Sequence, residues 1–104
     1  MIVRIRTTPE AETHAGFADE WWRRNRQASP DLFASELAGA CDLLVAAPEI
    51  GRRYRRKDIA GLRRLLLPAT RYHVYYVFDR DAASIVILAI WSGVRGRTPQ
   101  FRRP

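Results

Sequence analysis

The stretch Arg71-Tyr72-His73-Val74-Tyr75-Tyr76-Val77-Phe78-Asp79, Arg80-Asp81-Ala82-Ala83, Ser84-Ile85-Val86-Ile87-Leu88-Ala89-Ile90-Trp91-Ser92 decides the fold. Both arms are rich in β-branched and aromatic residues, which suit a pleated surface. The charged, small-residue segment between them predicts a hairpin loop. The second arm is almost wholly apolar, which predicts a central strand covered on at least one face. The core has to form on this hairpin.

Upstream, Leu62-Arg63-Arg64-Leu65-Leu66-Leu67 predicts a further strand, turned into the hairpin by Pro68-Ala69-Thr70. At the other end, Val3-Arg4-Ile5-Arg6 alternates apolar and basic and predicts a short strand. Thr8-Pro9-Glu10 is a helix start: Thr8 caps, Pro9 suits the first helical position, and Glu10 sits at the positive end. The helix is expected from Pro9 to about Arg26. Ala11, Ala15, Ala18 and Trp22 form one stripe of it, and His14, Phe17 and Trp21 form a flanking row. Adjacent tryptophans cannot both face inward on one helix. The flanking row is therefore either a core edge or an apolar strip for a partner to cover. His14 is read as a surface residue. Ser29-Pro30-Asp31 predicts a second start, with Ser29 capping and Pro30 first in the helix, running to about Ala47. Phe33, Leu37, Ala40, Cys41 and Leu44 share its inner face. Pro48 and Gly51 end it.

The order is an N-terminal strand, a two-helix antiparallel hairpin, then a three-stranded antiparallel meander. This predicts an α+β domain with the helices packed on one face of an antiparallel sheet. The 104 residues fit one domain, residues 1–104, ending in a basic tail over 93–104. A hydrophobic fraction of 47% excludes a disordered chain. No apolar run spans a bilayer, and Glu10 and Glu12 follow the first short one, so neither a membrane protein nor a signal peptide is expected. Cys41 is the one cysteine. It excludes an internal disulfide, fits a reducing cytoplasmic setting, and reads as a small buried hydrophobe.

Net charge is +7, and every basic residue except Lys57 is an arginine. The charge is clustered, which points to an anionic partner rather than a uniformly solvated surface. The densest run, Arg52-Arg53-Tyr54-Arg55-Arg56-Lys57, interleaves an aromatic ring with cations. That form suits phosphate and base contacts, although such a run is equally what a solvated loop contains. No phosphate-cradling glycine motif and no zinc-spaced Cys/His set is present, so no cofactor and no metal is expected. His14 and His73 are far apart, and carboxylates are sparse after Asp58. Paired-carboxylate hydrolysis is excluded, and any chemistry would rest on arginine and tyrosine, as RNA cleavage by the ribose 2′-hydroxyl allows.

The chain resembles the RelE/ParE superfamily of toxins from type II toxin–antitoxin systems. The match is carried by Thr8-Pro9-Glu10-Ala11, by Pro48-Glu49-Ile50-Gly51-Arg52, by Leu65, by Arg71 to Val77, by Ile87 to Trp91, and by Gly93-Val94-Arg95. The resemblance implies the RelE-like fold. RelE-like members cut mRNA on the ribosome, using an arginine in the central strand, an arginine near the end of the last strand, and a C-terminal tyrosine. Here those positions hold His73, Arg95 and Phe101. The replaced arginine and the missing hydroxyl resemble the ParE-like branch, whose characterised members inhibit DNA gyrase. A gyrase inhibitor without catalysis is thus the first expectation, with Arg52, Arg53, Tyr54, Arg55, Arg56, Arg95, Arg97 and Phe101 as target-binding candidates. The alternative is a ribosome-dependent endoribonuclease with Arg95, His73 and Arg71 around the scissile phosphate. A degenerate member that keeps only the fold and antitoxin binding is a third. The resemblance also implies a hetero-oligomer with a cognate antitoxin, whose acidic or amphipathic C-terminal segment would cover the helix pair and the sheet edge, with Phe17, Trp21 and Trp91 as the contact candidates.

Overall fold

A computed structural model describes residues 2–93. Its elements are β1 (Arg4–Thr7), α1 (Pro9–Asn25), α2 (Leu32–Ala46), β2 (Arg52–Arg53), β3 (Arg63–Leu67), β4 (Tyr72–Asp79) and β5 (Ser84–Ser92). The strands form one sheet in the order β1-β5-β4-β3-β2. The β3-β4-β5 meander is antiparallel, as its hairpin signals predict. The sheet as a whole is mixed, because β1 lies parallel to β5, with Arg4 opposite Ser84 and Thr7 opposite Ile87. That geometry follows from the chain order: β1 and β5 are separated by every other element, so no hairpin constrains their direction.

The first helix starts where its cap signal says. Thr8 Oγ1 accepts from the Ala11 N–H at 3.2 Å, Pro9 opens the helix, Glu10 and Glu12 occupy the first turn, and Arg23 and Arg24 the last. The second helix starts later than expected. Ser29 does not cap it and Pro30 is not its first residue. Ser29 N–H donates to Arg26 O and Leu32 N–H to Ser29 O, so this segment is a pair of turns. Asp31 stands at the cap position but makes no capping bond; its carboxylate instead meets Arg23 Nη1 at 2.9 Å.

The arginine run also departs from a pure loop. Arg52–Arg53 forms a two-residue edge strand, with Arg52 opposite Arg64 and Arg53 opposite Arg63. Arg71 precedes β4 instead of opening it, in a left-handed backbone conformation with φ 67°. One register shift lies between Tyr75 and Tyr76, where Tyr75 pairs with Ala89 and Tyr76 with Ile87. Leu88 is the extra residue of this bulge. The bulge puts Leu88 and Ala89 on the same face, so strict alternation fails in β5.

Both helices pack on one face of the sheet. Ala11, Ala18, Phe33, Ala40 and Leu44 meet Leu67, Val74, Tyr76, Ile85, Ile87 and Ile90, with Trp22 and Leu37 at the margin. Small residues on α1 let it approach closely, as its alanine stripe predicts. Two polar anchors fix the helices to the far strands. Glu36 of α2 accepts from Ala69 N–H, Thr70 N–H and the Thr70 hydroxyl at 2.6, 2.9 and 2.6 Å. Tyr76 OH donates to Pro48 O at 2.7 Å and accepts from Gly51 N–H at 2.9 Å. Gly51 is required there: a Cβ would lie 2.7 Å from the Tyr76 ring and hydroxyl. Nearby, Arg63 donates to Glu49 O and Gly51 O, and Glu49 also pairs with Arg80. No helix among the described residues is long and apolar enough to cross a membrane.

A basic aromatic sheet face and an apolar groove

The second face of the sheet carries no helix. A smaller cluster covers its lower part, with Ile59 and Leu62 of the β2–β3 connection on Tyr75, Val86, Leu88 and Ala89. Above it the face is polar and open. Strand alternation selects its residues: Arg64 and Leu66 from β3, opposite Tyr75 and His73 of β4. Arg52 joins them as the cross-strand neighbour of Arg64. The Arg64 guanidinium stacks over Tyr54, 4.9 Å from the ring centroid. Tyr54 meets Tyr75 edge to face at 5.3 Å, and His73 leans on Tyr75 at 6.1 Å. The Arg64 guanidinium, Tyr54 and His73 thus stand over the buried Tyr75 ring, with the guanidinium positioned by π contact.

Electrostatics on this face favour a neutral imidazole. Burial first, then the cations of Arg64 and Arg71, hold His73 below its usual 6.5. Arg71 sits beside it because the β3–β4 turn closes there. Arg71 N–H donates to Leu67 O at 2.8 Å, and Gly93 N–H donates to Arg71 O at 2.7 Å. A Cβ on Gly93 would approach Arg71 O at 3.0 Å and the His73 ring at 3.1 Å, so Gly93 keeps the end of β5 against this pair.

Of the expected target-binding residues, Arg52, Arg53, Tyr54, Arg55 and Arg56 fall together at this end of the sheet. Arg53, Tyr54, Arg55 and Arg56 line one shallow cleft with Lys57. Arg56 is committed to Asp58 through Nε and Nη2 at 3.0 and 3.1 Å, which lowers its value for an outside anion. Arg95, Arg97 and Phe101 lie outside the described residues. Arg71 and His73, two of the three residues of the nuclease alternative, are neighbours. Arg64, Leu66 and Tyr75 were not legible as site residues. The run Arg63-Arg64-Leu65-Leu66-Leu67 does not alternate in polarity, and only its pairing with β4 assigns its faces. Cys41 packs against the helix-side core, where burial raises its thiol pKa, the opposite of an activated nucleophile. Among the described residues no group of His, Cys, Asp or Glu could hold a metal.

The expected partner strip on α1 is a groove. Phe17 is 68% and Trp21 44% exposed, whereas Trp22 turns to the core. Phe17 and Trp21 face Tyr72, Ile90, Trp91 and Ser92 across a cleft. All three expected antitoxin contacts, Phe17, Trp21 and Trp91, therefore line one space. His14, read as a surface residue, is half-buried in its wall. Its Nδ1 accepts from the Ile90 N–H at 3.2 Å, and its ring meets Trp91 edge to face at 5.3 Å.

The comparisons with known proteins agree with this architecture. The model of the ParE toxin of the type II toxin–antitoxin system parDE matches residues 5–96. The toxin–antitoxin complex RelBE2 of Mycobacterium tuberculosis is 20% identical, with a TM-score of 0.62 over 88% of this chain and 99% of that one. A chromosomal ParDE system from P. aeruginosa is 14% identical, with a TM-score of 0.66 over 88% and 96% of the two chains. A mutant of the E. coli toxin RelE in the free state is 12% identical, with a TM-score of 0.55 over 90% and 86%. At such identities these structures are similar in fold. No curated protein matches in sequence. A family match across nearly the whole chain, on a fold shared with RelE and ParE toxins, makes this chain a member of the ParE toxin family of type II toxin–antitoxin systems.

Proposed function

We propose that this toxin acts in the cytoplasm as an inhibitor of DNA gyrase, and that a cognate antitoxin neutralises it. The observation that carries the reading is the ParE match over residues 5–96, with His73 standing where RelE-like nucleases place an arginine. The open face supports it. That face presents Arg52, Arg64 and Arg71 around Tyr54 and His73, above the buried Tyr75, a surface suited to an anionic or acidic target. Target contact is assigned to this face, together with Arg53, Tyr54, Arg55 and the basic residues Arg95 and Arg97. The antitoxin is assigned to the groove of Phe17, Trp21 and Trp91, leaving the two partners on different parts of the molecule.

Adding the purified protein to gyrase, ATP and relaxed plasmid tests this directly. Loss of supercoiling, or accumulation of cleaved DNA, reversed by the antitoxin is the expected result. A folded, toxic protein without effect on gyrase contradicts it.

A ribosome-dependent endoribonuclease is the second reading, and one observation favours it. The His73 imidazole, its pKa lowered by burial and then by Arg64 and Arg71, lies beside two cations that suit a phosphorane-like transition state. Under that reading Arg95→Ala abolishes mRNA cutting while the fold survives. Full toxicity of that variant ends the nuclease assignment.

A further inference from the structure

A second cleft opens where the last turn of α1 meets the β3–β4 turn and the end of β5. Trp21, Trp22, Arg26, Thr70 and Arg71 line it, and it holds about 510 Å³. That lies inside the roughly 300–1,000 Å³ of small-molecule sites. One part of its lining is a stack of planar groups. Arg26 ends α1 with its N–H on Trp22 O, and its side chain folds back over the last turn. The Arg26 guanidinium lies over Trp21 and Trp22, 4.9 and 5.8 Å from the ring centroids. One of its nitrogens, Nη1, donates to Asn25 O at 3.1 Å. Arg71 reaches the same cleft from the β3–β4 turn, where its left-handed backbone, φ 67°, takes it out of the alternation of β4. No carboxylate among the described residues pairs with Arg26 or Arg71. Glu36 bonds to Ala69 and Thr70 of this lining, and three donors there already engage its carboxylate. The Trp22 indole N–H is buried with no acceptor among the described residues, so the lining also holds a donor without a partner.

We propose that this cleft binds a small nucleotide, with the base stacked on the Arg26–indole wall and the phosphate held by Arg71. Two features select that chemistry. A guanidinium carried on indoles offers a flat cationic surface, the kind on which unpaired nucleobases stack. A second guanidinium with no carboxylate partner takes a phosphate through paired N–H donors. A bare anion, or an acidic side chain of a protein partner, would meet the cations and leave the stacked wall unused. The inference stands apart from the gyrase reading. It shares only Arg71 with the basic aromatic face, and its test involves no target.

Isothermal titration of the full-length chain with adenosine and guanosine monophosphate, with the bare nucleosides and with inorganic phosphate separates the contributions. At least one nucleotide is expected to bind at least about tenfold more tightly than its nucleoside or phosphate, because base and phosphate each add contacts. Binding should also shift the Trp22 indole N–H resonance. Arg71→Gly removes the guanidinium and suits the left-handed backbone, so it should fold at least as well as wild type. It is expected to bind the nucleotide about tenfold more weakly, the loss of one charge-assisted contact. Arg26→Gln should weaken binding about three- to tenfold. Arg4→Gln loses the same charge at the far end of β5, opposite Ser84, and should bind as wild type does. Four results overturn the inference. Neither nucleotide binds below about 1 mM, or phosphate alone binds as well. Arg71→Gly binds as wild type does, or Arg4→Gln loses as much as it, which marks unspecific attraction to a basic chain. A short single-stranded oligonucleotide binds more tightly than either mononucleotide, which assigns the cleft to a strand. Arg71→Gly loses antitoxin affinity with nucleotide binding intact, which assigns the cleft to the antitoxin.

Discussion

The two faces of the sheet differ in what holds their residues in place. On the helix side, side chains of α1 and α2 interdigitate with β3, β4 and β5, and each large residue is enclosed by apolar neighbours. On the other side, the upper half keeps its order through ring contacts, a stacked guanidinium and cross-strand pairing, and remains in contact with solvent. Leu66 is 42% exposed there, although it neighbours the wholly buried Leu67 on the same strand. The helix side holds the larger core, and the lower half of the other face holds a smaller one. The upper half of that other face presents charges at fixed positions while adding little stability, which is the usual division in a domain that acts through a surface.

Substitutions on the two faces should separate stability from activity. The largest loss of stability is expected at Leu44→Ala, which empties a fully buried site under α2 and should cost about 3 kcal/mol in denaturant unfolding. A loss below about 1 kcal/mol would mean that the helix-side core collapses readily around the gap. Tyr76→Phe comes next. It strands the Gly51 N–H and the Pro48 carbonyl, and about 2 kcal/mol is expected by the same measurement. Acidification gives a smaller effect of known sign. The His73 pKa is lowered on folding, so the unfolded chain takes up the proton first as pH falls below 6.5. The stability contributed above that pH is lost as the solution is acidified through the folded-state value, and His73→Asn should flatten that part of the profile. A profile that keeps its slope in this variant would place the titration elsewhere. The smallest effect on stability belongs to Arg64→Ala, below about 1 kcal/mol because the group is partly solvated. Its effect on activity should be the largest of the four.

The helix-side face was readable from sequence because periodicity reports burial. The stripes of Ala11, Ala15, Ala18 and Trp22 and of Phe33, Leu37, Ala40, Cys41 and Leu44 all turn toward the core. The hairpin from Tyr72 to Ser92 was equally plain, with its turn at Arg80–Ala83. The open face was not. Arg52 and Arg53 form a strand because they pair with β3, and a two-residue pairing leaves no periodic trace. Asp31 has the composition of a cap but is drawn to Arg23, a contact set by the approach of two helices. Leu88 hides a bulge inside an unbroken apolar run, and His14 meets Ile90 across 76 positions of sequence. Composition identified the cations, and strand register decided which of them share a surface.

The most direct test of this division is a gyrase supercoiling titration of Arg64→Ala beside the wild-type toxin, after both show the same thermal midpoint. The open face as the target-binding surface predicts that the variant needs at least about tenfold more protein for half-inhibition, the loss of one charged contact at an interface. Equal inhibition by a variant folded as well as wild type would contradict the assignment of target contact to the basic aromatic face.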